Sequence, residues 1–98
     1  MTFRILAEAS EELEAAAGFY AESRPEVALR FINEVESCID RLLTDPESWP
    51  VVDDNFRRSP LKGFPYDVVF QVTPQGVVVF AFAHRHRRPG YWAKRSEL

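Results

Sequence analysis

The chain has 98 residues, 15 acidic and 12 basic, with 46% apolar side chains and a formal net charge of -3. That length holds one domain, residues 1–98, and excludes a second core. A lone cysteine, Cys38, excludes an internal disulfide, and no window approaches the roughly 20 apolar residues of a membrane span.

Thr2–Leu6 alternates, with Phe3 and Ile5 on one side, and predicts a short first strand. A helix follows from Ala7. Its apolar positions are Ala9, Leu13, Ala16 and Tyr20, and Glu8, Glu11, Glu12 and Glu14 crowd its first turns, where they complement the helix dipole. Ser23-Arg24-Pro25-Glu26 fits a capping box and predicts that a second helix starts there, with Pro25 in its first turn. The second apolar stripe runs Ala28, Phe31/Ile32, Val35, Ile39, Leu42 and stops at Asp45-Pro46. So few residues join the two helices that an antiparallel hairpin is expected. Cys38 falls within the second helix and is read as a small core or boundary residue.

Residues 46–55, PESWPVVDDN, read as a surface loop with Trp49 plugging the core edge. Phe56–Leu61 reads as a short strand, and Pro60 predicts an edge position or an early end. Arg57 and Arg58 must point to opposite faces, so one of them can look into a site beside the sheet. Tyr66–Val72 and Val77–Ala83 flank Thr73-Pro74-Gln75-Gly76 and predict a hairpin. Val77–Ala83 is apolar at every position, which predicts a strand buried on both faces. The element order is β-α-α-β-β-β. It predicts an α+β fold: an N-terminal strand and an antiparallel two-helix hairpin packed on a mostly antiparallel sheet.

Charge is unevenly distributed. Residues 1–54 carry 13 acidic and 4 basic side chains, whereas residues 55–98 carry 8 basic and 2 acidic. The balance of +6 in the second part suits phosphate or an acidic protein partner. The buried strand delivers His84-Arg85-His86-Arg87-Arg88 to the sheet end, followed by Pro89-Gly90-Tyr91-Trp92. On a continuing strand, His84 and His86 would lie on one side, roughly 7 Å apart. That spacing suits a pair in which one imidazole takes a 2′-hydroxyl proton and the other protonates the leaving oxygen. Arg85, Arg87 and Arg88 would hold the phosphate. Tyr91 would stack on a base, and Trp92 would either stack or close the core as a lid. The bland alternative is a solvated strand end pairing with the acidic part of the chain. No phosphate loop, nucleophile elbow or zinc-ligand spacing is present, and no cofactor or metal is expected.

These elements and residues resemble the RelE/ParE superfamily, the toxins of bacterial type II toxin–antitoxin modules, often called plasmid stabilisation proteins. The resemblance is carried by Ala9 with Leu13, Phe19-Tyr20, Phe31, Val35-Glu36, Pro46, Pro50, Arg57-Arg58, Phe64-Pro65-Tyr66, His84-Arg85-His86-Arg87-Arg88-Pro89 and Tyr91-Trp92. It spans about residues 3–95. It implies a cytoplasmic, growth-inhibiting toxin neutralised by a cognate antitoxin that covers its basic surface, with a hetero-oligomer of the two. Two targets are implied. ParE-like members inhibit DNA gyrase; RelE-like members cut mRNA on the ribosome. In the nucleases an arginine follows the tyrosine of the strand before the last hairpin turn, where this chain has Asp67. A second family arginine aligns with Arg87. A late tyrosine aligns with Ala93, so that Tyr91 is displaced from it. The ParE-like reading is therefore preferred. Its expected target- or phosphate-binding residues are Arg58, Arg85, Arg88, Tyr91, Trp92 and Lys94. Arg87, His84 and His86 are the candidate catalytic set under the ribonuclease alternative. A further alternative is a non-toxic module that binds only its antitoxin.

Overall fold

The computed structural model describes residues 2–96. Chain order is β1 (Thr2–Ile5), α1 (Ala7–Ser23), α2 (Pro25–Thr44), a 3-10 turn (Pro46–Ser48), β2 (Val51–Asp53), β3 (Phe56–Pro60), β4 (Tyr66–Thr73) and β5 (Gly76–His84). The strands form one sheet in the order β1-β5-β4-β3-β2. Only the β1–β5 pairing is parallel. The α+β class and the mostly antiparallel sheet agree with the sequence reading.

Two local expectations are corrected. Ser23 ends α1 rather than capping α2; Arg24 joins the helices alone, in an extended conformation (φ -150°, ψ 107°), with no side-chain cap. Pro25 still opens α2, where a missing N–H costs nothing. Residues 46–55 are not all loop, because Val51–Asp53 forms β2. Asp54 and Asn55, both at positive φ (43° and 69°), make the tight turn into β3; short polar side chains tolerate that geometry. β2 therefore takes the sheet edge, and of the two expectations for Pro60, an edge position or an early end, the second holds: Pro60 ends β3.

β5 is buried along Gly76–Ala83, as its unbroken apolar run demands. Its register against β4 shifts between Val79 and Ala81, leaving Phe80 as the extra residue of a bulge. Cross-strand pairing then assigns the faces. Val77, Val79, Phe82 and His84 share the side of Tyr66, Val68 and Phe70. On that side Phe31 of α2 stacks edge-on to Tyr66, and the Cys38 thiol lies 3.3 Å from Ser59 Oγ, so this is the helix face. Burial pushes the Cys38 thiol pKa up. Phe56, Arg58, Asp67, Val69 and Ala83 lie on the opposite face, where Phe56 meets both Phe80 and Trp92. The segment after β5 thus supplies the cover that the helices give on the other side. Burying both faces is what permits the continuous apolar strand.

Candidate functional site

β1 pairs only with Gly76–Val79, so β5 runs past it with no strand on that edge. α1 and the C-terminal segment meet there. The Glu12 carboxylate accepts hydrogen bonds from the Phe82 N–H (3.2 Å), the Tyr91 hydroxyl (2.6 Å), and Arg95 Nη1 and Nη2 (2.8 and 3.0 Å). Arg95 Nη1 also donates to the Phe80 carbonyl (2.8 Å). Backbone groups exposed by the bulge and by the end of β1 are thereby satisfied by side chains. Arg87 lies 3.9 Å from Glu12 and 4.0 Å above the Tyr91 ring, in cation–π geometry. Burial first, then the hydrogen bond to Glu12, pushes the Tyr91 pKa up.

A second carboxylate organises the far face. Asp67, only 5% exposed, lies 3.4 Å from Arg58 Nε and accepts a 3.2 Å hydrogen bond from Arg85 Nε. Arg58 is therefore the member of the Arg57/Arg58 pair that faces the site. Arg57 is spent on structure, with Nη1 donating to the carbonyls of Glu47 (2.8 Å) and Trp49 (2.6 Å).

Two cavities flank the end of β5. One, of about 280 Å³, opens on the helix side between Ala15, Ala16 and Phe19 of α1 and the Tyr66–Phe82 surface. The other, of about 200 Å³, opens on the far face among Arg58, Asp67, Ala83, Arg85, Pro89 and Trp92. His84 and Arg87 line both and form the ridge between them.

The expected site residues are thus divided by the fold. Arg58, His84, Arg85, Arg87 and Trp92 converge on the far-face cavity. Tyr91 turns to Glu12 instead, and Arg88 and Lys94 are exposed. Trp92 is 3% exposed, which gives it the lid role. The strand does not continue to His86, so the same-side spacing does not apply: β5 ends at His84, and the two imidazole centroids lie 5.0 Å apart across a turn. His84 Nδ1 accepts the His86 backbone N–H (3.0 Å), leaving Nε2 as the outward nitrogen. Glu12 was missed. One glutamate among four in the first turns carries no local mark of a contact 79 residues away.

The geometry is a helical hairpin on a mostly antiparallel sheet, with a basic ridge at the strand end and a concavity on each side. The chain matches, over residues 3–89, the model of the family described as ParE toxin of type II toxin-antitoxin system, parDE. It belongs to that family and is a ParE-type toxin of a type II toxin–antitoxin system. A solved structure of a chromosomal ParDE toxin–antitoxin system from P. aeruginosa shares the fold, with a TM-score of 0.75 at 18% identity. That match covers 86% of this chain and 95% of the other. No curated protein matches the sequence. No helix among the described residues is long and apolar enough to cross a membrane.

Proposed function

We propose that this toxin arrests bacterial growth in the cytoplasm by binding DNA gyrase, and that a cognate antitoxin neutralises it by laying an acidic, extended segment over the His84–Arg88 ridge. The observation that carries this reading is the ridge itself: His84 and Arg87 stand between two concavities, one floored by Ala15, Ala16 and Phe82 and the other by Ala83. A ridge carrying Arg87 between a largely apolar hollow and a charged one suits a peptide that offers both apolar and acidic side chains.

The same geometry weighs against the ribonuclease alternative. Arg58 and Arg85 are already engaged by Asp67, Arg87 by Glu12 and the Tyr91 ring, and His84 Nδ1 by the backbone. A phosphodiester would have to compete with these internal contacts. The edge-to-face His84–His86 pair beside Arg87 is what the nuclease reading retains.

Induced expression, a gyrase supercoiling assay with purified protein, and primer extension on cellular mRNA separate the readings. Growth arrest with inhibited supercoiling and intact mRNA is expected. Supercoiling untouched at saturating protein removes the gyrase reading. Full toxicity of both Arg87→Ala and His84→Ala/His86→Ala removes the nuclease reading. Failure to arrest growth leaves the antitoxin-binding module.

A further inference from the structure

The far-face cavity is lined by three guanidinium groups, from Arg58, Arg85 and Arg87, and one carboxylate, from Asp67. Asp67 pairs in register with Ala83 on β5 and Pro60 on β3. An alanine opposite a charged residue ends at Cβ and leaves the space open. The resulting 200 Å³ would hold several water molecules, each about 30 Å³, and so has room for a tetrahedral oxyanion.

Donors outnumber acceptors here. Arg58 Nε sits 3.4 Å from Asp67 Oδ2 without hydrogen-bond geometry, and Arg85 Nε and Nη2 share Asp67 Oδ1 at 3.2 Å. Trp92 Nε1, on a residue 97% buried, has no acceptor among the described residues, and neither has Arg58 Nε. Native interiors rarely leave such donors unpaired. Two carboxylate oxygens serve the Arg58–Arg85 pair incompletely, whereas a phosphate would bring four oxygens to these fork-shaped guanidiniums.

We propose that the cavity is a latent phosphate site and that Asp67 is its specificity-determining residue: the chain's own carboxylate occupies the Arg58–Arg85 pair and excludes phosphate groups, including those of a nucleic-acid backbone. A buried negative charge between the two arginines offsets one of their two positive charges and repels an incoming oxyanion at short range, where screening is weak. This inference concerns the ligand chemistry of the cavity and is independent of whether gyrase is the target.

The test uses the full chain, inorganic phosphate and a short single-stranded RNA. Thermal unfolding is followed in phosphate and in chloride at equal ionic strength, and RNA binding by fluorescence anisotropy. The wild type should gain no stability from phosphate beyond that in chloride. Asp67→Asn should be less stable in chloride, recover in phosphate because the ligand binds the folded state, and bind RNA about tenfold more tightly or better. Asp67→Asn/Arg58→Gln should lose both gains. Asp67→Ser, which opens more space, should behave as Asp67→Asn does. Phosphate recovery without RNA binding narrows the site to free phosphate groups and supports exclusion all the same. Wild-type protein binding phosphate as well as the variants do overturns the proposal. So do variants that fold but gain nothing, and variants that fold in neither buffer, since supplied phosphate should replace the missing charge.

Discussion

The Tyr91 hydroxyl donates to Glu12 Oε2 at 2.6 Å, fastening the C-terminal segment to the first helix. Glu12 also takes Arg95 and the Phe82 N–H, so one side chain closes the β5 edge and sets the position of the Arg87–Tyr91 pair. Glu12→Gln removes the charge but keeps the shape. It should destabilise the fold by about 2 kcal/mol, a fall in Tm of about 10 °C, measured by calorimetry. The segment should also become a substrate for trypsin at Arg87 and Lys94, whereas Pro89 protects the bond after Arg88 in both proteins.

That hydrogen bond also sets an alkaline limit. Burial, with the Glu12 hydrogen bond second, raises the folded Tyr91 pKa above its unfolded value of about 10. Below that unfolded pKa the contribution of Tyr91 to stability is fully present. Above it the unfolded chain loses the proton while the folded chain keeps it, so stability falls as pH rises toward the folded pKa. Urea unfolding of the wild type at rising pH should therefore show a steeper alkaline decline than Tyr91→Phe, which lacks this proton. Equal slopes would mean that Tyr91 does not carry the effect.

Arg57 and Arg58 are neighbours with separate tasks. Arg57→Ala frees the carbonyls of Glu47 and Trp49 and should cost about 1–2 kcal/mol, with a change in tryptophan fluorescence as Trp49 loosens. Toxicity should persist at temperatures where the variant is folded. Arg58→Ala leaves Asp67 short of one cation on the cavity wall and should change partner affinity as well as stability. A growth assay beside thermal melts distinguishes the two. Equal loss of toxicity from both, at equal folded fraction, would contradict this division.

How much of this was legible follows from the range of each interaction. The all-apolar β5 run reads as a strand covered on both sides, and the uneven charge marks the cationic end of the chain. Phe80 could not be recognised as a bulge, because every neighbour is apolar too and no alternation exists to break. β2 was hidden by its length: three residues carry no period, although Asp54-Asn55 was a turn signal of the kind that positive φ selects. Alternation placed Asp67 and Arg58 each on a definite face of its strand. That they meet depended on the β3–β4 register, which sequence does not state. The Ser23 capping box failed because its pattern can equally lie in the last turn of a helix when the next helix starts one residue later.

Gly76 tests the coupling between hairpin and first strand. Its φ of 151° disfavours any side chain, and a Cβ there would overlap the Thr2 backbone, to which it is paired in register. Gly76→Ala should cost about 3 kcal/mol or more, and β1 amides should lose hydrogen-exchange protection before those of β4. A melt unchanged within 1 °C, well under the roughly 4 °C that each kcal/mol moves a domain this size, would show that β1 docks some other way.

Two exposed apolar residues on the helical hairpin separate binding from folding. Phe19 is 65% exposed and walls the helix-side cavity; Leu29 is 67% exposed and lines none of the cavities described above. Leu29 is largely solvated and Phe19 adds only an edge-on contact with Tyr20, so Leu29→Ser should stay within about 0.5 kcal/mol of the wild type and Phe19→Ser within about 1.5 kcal/mol. Their effects on partners should diverge. A large apolar residue of the antitoxin seated between Ala15, Phe19 and Phe82 would lose one wall of its hollow in Phe19→Ser. Affinity should fall about tenfold or more, the scale of a moderate interface contact, while Leu29→Ser leaves it unchanged. Calorimetric titration with the purified antitoxin, and rescue of growth by its co-expression, read the difference. If Leu29→Ser weakens the complex as much as Phe19→Ser does, the antitoxin grips the outer face of the hairpin and the cavity beside the His84–Arg87 ridge is not its anchor.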